Sequence, residues 1–159
     1  YIEQLPELRT KLMEPLQELQ ASLDKARKSA NGTQKKLTDA QADFAKKDAE
    51  VRRVEAVAVA DAARLLRTAE RARERGDLVQ AQAAEVERAS VLQAAEARVQ
   101  ALQVDLQQLQ TAITELSGQL KADVEEAEGL ERSLASGQKA VEARLEAPPP
   151  FWDAHEERR

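Results

Sequence analysis

Apolar residues recur every seven positions along the first half of the chain, at Leu16, Leu23, Ala30, Leu37, Phe44, Val51 and Ala58. A companion series falls three residues after each, at Leu19, Ala26, Thr33, Ala40, Lys47 and Val54. Together they form the a/d stripe of a heptad helix, interrupted by the polar Thr33 and Lys47. After Ala58 the stripe skips four residues and resumes at Ala62, Leu65, Ala69 and Ala72, a stutter that locally relaxes supercoiling. The second half repeats the theme. Leu92, Val99, Leu106, Ile113 and Leu120 form one series, and Ala95, Leu102, Leu109 and Leu116 the other. A second stutter is expected between Leu120 and Val124, after which the stripe continues through Ala127, Leu130, Leu134, Val141 and Leu145.

Between the two stripes lies Ala72-Arg73-Glu74-Arg75-Gly76-Asp77-Leu78. Glycine tolerates the left-handed conformation that closes a helix, and aspartate caps the start of the next. The expectation is an all-α fold, a long antiparallel two-helix coiled-coil hairpin that turns at Gly76. A hairpin hides one apolar stripe on the other, which an isolated helix cannot do. The competing architecture is one continuous helix that dimerises, because glycine inside a helix costs only about 1 kcal/mol.

Folding the sequence at Gly76 gives internal checks. Lys25, Arg27 and Lys28 come level with the acidic run Asp123, Glu125, Glu126 and Glu128, and Pro15 comes level with Gly137. The arms also differ in charge. Residues 1–75 hold 16 Lys/Arg against 13 Asp/Glu, and residues 76–147 hold 6 against 13. Opposite charge favours pairing of the arms, although each exposed pair is worth well under ~1 kcal/mol.

The ends read differently. Ile2, Leu5, Leu8 and Leu12 have helical spacing, but Pro15 cannot continue a helix without losing a hydrogen bond. This predicts a short amphipathic helix over 1–14, the first arm over 15–75, a turn at 76–78 and the second arm over 79–147. The run Pro148-Pro149-Pro150 stops the second arm and begins an irregular proline/aromatic tail over 148–159. The chain opens on Tyr1, and both ends read as cut ends of a processed form or fragment.

Composition agrees with long helices. The chain is 33% charged and 3% aromatic, whereas a globular core of 159 residues uses more aromatic area. With no cysteine there are no disulfides and no thiolate chemistry. A net charge of −5 is too mild to imply a nucleic-acid partner. His155 is the sole histidine, so neither a histidine metal pair nor a Ser/His/Asp set can be assembled. Phosphate-cradling glycine loops are absent. Glu125, Glu126, Glu128 and Glu131 read as a solvated or arm-pairing face rather than a cation site. We therefore expect no enzyme, no cofactor, no metal and no small-molecule substrate.

What remains are contact features. Arg64, Arg67, Arg71 and Arg75 are spaced three and four apart and form one basic stripe near the turn. It reads as a solvated face or as a contact for anionic lipid or an acidic partner. The N-terminal segment is acidic through Glu3, Glu7 and Glu14, which favours packing near Val141 and Leu145 over lying on a membrane. Phe151 and Trp152, after three prolines, form a docking peptide, a local tail or a link to a further domain.

Three stretches carry a family likeness: Leu12-Met13-Glu14-Pro15-Leu16-Gln17-Glu18-Leu19, then Lys35-Lys36-Leu37, then Thr68-Ala69-Glu70-Arg71-Ala72-Arg73-Glu74-Arg75-Gly76-Asp77-Leu78 leading into Ala81 and Ala84. In this order they resemble the phage-shock protein A family, bacterial relatives of ESCRT-III, over about residues 12–145. The resemblance implies a helical hairpin without catalytic residues, which assembles into homo-oligomeric rods or rings and remodels or protects membranes. The functional expectation is a non-enzymatic coiled-coil assembly protein that associates with itself or with a helical partner. It is expected in the cytoplasm, with peripheral association to an anionic membrane as the version the family implies. The alternative is a rigid spacer or adaptor in a secretion, phage or cytoskeletal machine.

Overall fold

The computed structural model describes residues 5–146, with no account of the Leu5 side chain. Two helices fill them, α1 (Leu5–Glu74) and α2 (Leu78–Glu146), packed on each other as a helical hairpin. The continuous single helix is thereby excluded.

The turn is built as its residues dictate. Gly76 has φ = 76°, the left-handed region. Its amide donates to the Arg73 carbonyl at 3.0 Å, and the Asp77 amide donates to the Ala72 carbonyl at 2.8 Å. This is the Schellman closure of α1, satisfying carbonyls the helix end would otherwise orphan. Asp77 then caps α2, its Oδ1 accepting from the Gln80 amide at 3.0 Å. Arg75 donates to Gln80 Oε1 at 2.9 Å and ties the two helix ends together. The connection is Arg75–Asp77, so each arm begins or ends one residue away from its expected boundary.

Pro15 does not break α1. The helix passes through it, so the separate helix over 1–14 is not seen; residues 1–4 lie outside the described chain. Proline inside a helix costs about 3 kcal/mol. Here the ring is exposed, while Leu16 beside it is 6% exposed in an apolar cluster with Leu23, Ala26, Ala127 and Leu134. Met13 and Val141 pack against that cluster. Burying such side chains at about 25 cal/mol per Å² outweighs one proline.

The hairpin comprises two compact units, and each has its own core. The first joins residues 5–35 to residues 117–146. Its centre is the Leu16/Leu23/Leu134 cluster. Gly137 belongs to it: a Cβ there would fall on Leu16 Cδ2. Nothing lies within 4 Å of a Cβ at Gly118. Gly118→Ala should therefore gain about 0.5–1 kcal/mol from helix propensity, whereas Gly137→Ala should lose that gain by displacing Leu16. Denaturant unfolding of the two variants measures this; equal stabilisation by both would contradict the packing described.

The second unit is Lys36–Leu116. Its buried line runs through Leu37, Val51, Ala58, Ala62, Leu65, Ala69 and Ala72 of α1, facing Ala81, Ala84 and Leu102 of α2. Alanine dominates this line near the turn, where Ala69 and Ala72 are 0% exposed, so the helices approach closely there.

Candidate interaction surfaces

Every expected a/d position of α1 from Leu16 to Ala72 is buried or half-buried. In α2 two expected positions are not: Leu92 is 38% exposed and Val124 is 39% exposed. The inward positions belong instead to Val91 and Asp123. With Asp123 turned inward, the spacing from Leu120 through Ala127 stays at three and four, so the second stutter disappears. A stripe traced through apolar residues alone steps around a polar core position.

Both polar interruptions of the α1 stripe meet an aspartate. Thr33, 5% exposed, donates from Oγ1 to Asp123 Oδ2 at 3.0 Å, and Ser29 reaches the same oxygen at 3.4 Å. Lys47 Nζ lies 3.5 Å from Asp105 Oδ2. Arg27 pairs with Glu131 at 2.5 Å, an acid beyond the run Asp123–Glu128 that the level positions had named. Arg73 pairs with Glu85. In these three ion pairs the base comes from α1 and the acid from α2, following the opposite charge of the arms. Arg98 with Glu50, at 2.6 Å, is the reverse case.

The Arg98 hydrogen bond holds the Glu50 carboxyl below the usual carboxylate range, against a smaller opposing effect of burial. A depressed folded value means stability present above the ordinary carboxylate range and lost as pH falls through the folded value. Glu50→Gln should thus lower the melting temperature slightly near neutral pH and leave it unchanged in strong acid. An equal deficit at both pH values would rule out the ionised pair as its source.

Arg64, Arg67 and Arg71 are exposed on α1 and Arg75 is exposed in the turn, so the basic stripe exists as a surface. Beside it, Leu78 and Val79 are 70% and 83% exposed. Phe151 and Trp152, with the rest of the tail and His155, lie outside the described residues. Among the described residues no group of three His, Cys, Asp or Glu side chains is placed to hold a metal ion. No described helix is long and apolar enough to cross a membrane.

One feature escaped the sequence reading. In the Lys36–Leu116 unit an open apolar groove of about 370 Å³ runs between the helices, lined by Val54, Val57, Ala58, Val91, Ala94 and Ala95 with Arg53 and Asp61 at its edge. Val57 is 55% exposed on its rim. Its signal was in the sequence as Val57 and Val91, apolar residues next to the stripe rather than on it. Comparison with protein-family models, curated proteins and solved structures finds no match for this chain.

Proposed function

We propose that this chain is a non-enzymatic assembly module whose work is lateral packing against another helical surface. The groove at Val57 carries this reading. Hairpin formation leaves one edge of the paired stripes open as an apolar groove in the Lys36–Leu116 unit, widened by exposed Val57 and Ala94. Single exposed apolar residues are ordinary on protein surfaces, but an apolar trough between two helices is shaped for a third. The reading predicts that the purified chain associates reversibly in the micromolar range. Sedimentation equilibrium checks it, and a strictly monomeric mass at high concentration would defeat it.

A second reading rests on the turn. Exposed Leu78 and Val79 beside Arg71, Arg73 and Arg75 combine apolar side chains with positive charge, the pairing that binds anionic membrane surfaces. This is the version consistent with the likeness to the phage-shock protein A family. Flotation with vesicles containing anionic lipid, against neutral vesicles, tests it. Binding that is lost in Leu78→Ser/Val79→Ser would support the turn as the contact, and no flotation with either lipid would reject it.

A further inference from the structure

We propose that a second copy of this chain docks antiparallel along one face of α1, with the two-fold axis at Val57. This rests on the assembly reading above and names its partner and its face.

The face is the row Asp39, Asp43, Lys46, Glu50, Arg53, Val57, Asp61, Arg64, Thr68, Arg71 and Arg75, in steps of three and four. Ten steps cover the 36 positions from Asp39 to Arg75, an average of 3.6, so the row runs straight along the helix rather than winding round it. Glu50, Asp61 and Thr68 are half-buried and the rest are exposed. Val57 is the midpoint of the row and the rim of the apolar groove.

Charges on the row are arranged with opposite sign about that midpoint. An isologous antiparallel contact brings each residue against the one equally far on the other side of the axis. Arg53 then meets the partner's Asp61, Glu50 the partner's Arg64, Asp43 the partner's Arg71 and Asp39 the partner's Arg75. Lys46 meets the neutral Thr68, and Val57 meets its own copy. No like charges oppose each other anywhere on the row.

Side-chain engagement leaves these groups available. Among the described residues Asp39, Asp43, Arg53, Asp61, Arg64 and Arg71 form no ion pair within the chain. Glu50 uses Oε1 for Arg98 and keeps Oε2. Three of the four residues of the basic stripe, Arg64 and Arg71 on α1 and Arg75 just past its end, thus have their complement one half-row away; Arg67 lies off the row. Exposed Ala49, Ala56 and Ala60 flank the row and let the two backbones approach. At the axis the two Val57 side chains meet beside the rims of the two grooves, which supplies an apolar centre ringed by charge.

A charge exchange on the full chain tests this, read by sedimentation equilibrium with helicity followed in parallel. Asp43→Arg and Arg71→Asp, each alone, should weaken dimerisation about tenfold, because two symmetry-related attractions become repulsions. Asp43→Arg/Arg71→Asp together should restore wild-type association. In a second measurement Val57→Cys should form a disulfide-linked dimer under mild oxidation, and Val59→Cys, on another face, should not. A dimer that ignores the charge changes and crosslinks no better at Val57 than at Val59 would overturn this face while leaving the assembly reading intact. A wild-type chain that is monomeric throughout would overturn both.

Discussion

Leu102→Ala should destabilise the hairpin by about 2–5 kcal/mol, seen as a fall in the denaturant midpoint with little change in slope. Leu102 is 0% exposed and, with Leu23, is the largest fully buried side chain among the described residues. It lies opposite the buried α1 line of the Lys36–Leu116 unit, so truncation both removes buried apolar surface and leaves a cavity. The lost transfer energy and the residual cavity therefore add. A two-helix layer has few such anchors, because alanine fills many of its buried positions, among them Ala58, Ala62, Ala69, Ala72, Ala81 and Ala84. The loss at Leu102 is thus a large part of a total stability that domains keep within about 5–15 kcal/mol. Leu106→Ala, at an adjacent half-buried position, is the control and should cost clearly less. Equal effects would mean that Leu102 is not the anchor its burial implies.

The helices, their pairing and the turn were legible because each depends on local chemistry or on a repeating pattern. Gly76-Asp77 states both a helix stop and a helix start, and the hydrogen bonds from Asp77 to Ala72 and from Gln80 to Asp77 realise both. Level positions followed from the turn: Leu16 does pack against Gly137, and Arg27 does face an acid on the other arm. Pro15 misled, because a local rule about lost hydrogen bonds does not see the apolar cluster around Leu16 that outweighs it. Leu92 and Val124 misled for the opposite reason. A reading that follows apolar residues assigns the stripe to them, whereas the helix phase gives the inward position to Val91 and Asp123. The groove at Val57 was legible only in its parts: Val54, Ala58 and Ala95 lie on the traced stripe and Val57 and Val91 beside it, but their meeting in one trough depends on pairing two helices across thirty or more positions.

The Thr33–Asp123 contact leads to a prediction whose sign depends on the order of substitution. Thr10, Thr68, Thr111 and Thr114 all turn their hydroxyls to the carbonyl four residues back. Thr33 instead donates across the hairpin to Asp123. If Asp123 is replaced by leucine, Thr33 can adopt the bond the other threonines make, so Asp123→Leu alone should be neutral or stabilising. If Thr33 is replaced by valine, Asp123 is left facing an apolar wall with only the longer bond from Ser29, and the loss should be about 1–2 kcal/mol. Adding Asp123→Leu to Thr33→Val should reverse that loss and make the double variant more stable than wild type by about 1–3 kcal/mol, because two apolar side chains replace a polar pair in a seam. The gain comes at the expense of register. A polar pair at one core level penalises a slide by one heptad, which would set Asp123 against apolar side chains. Thr33 facing Asp123 and Arg27 facing Glu131 put Ala30 level with Ala127. Cysteines at Ala30 and Ala127 should therefore crosslink in the wild-type background, and cysteines at Ala30 and Leu134 should not. In the Thr33→Val/Asp123→Leu background the second pair should begin to crosslink. A double variant that is more stable and still crosslinks only at Ala127 would show that the turn alone holds the register, and that the polar pair has no part in it.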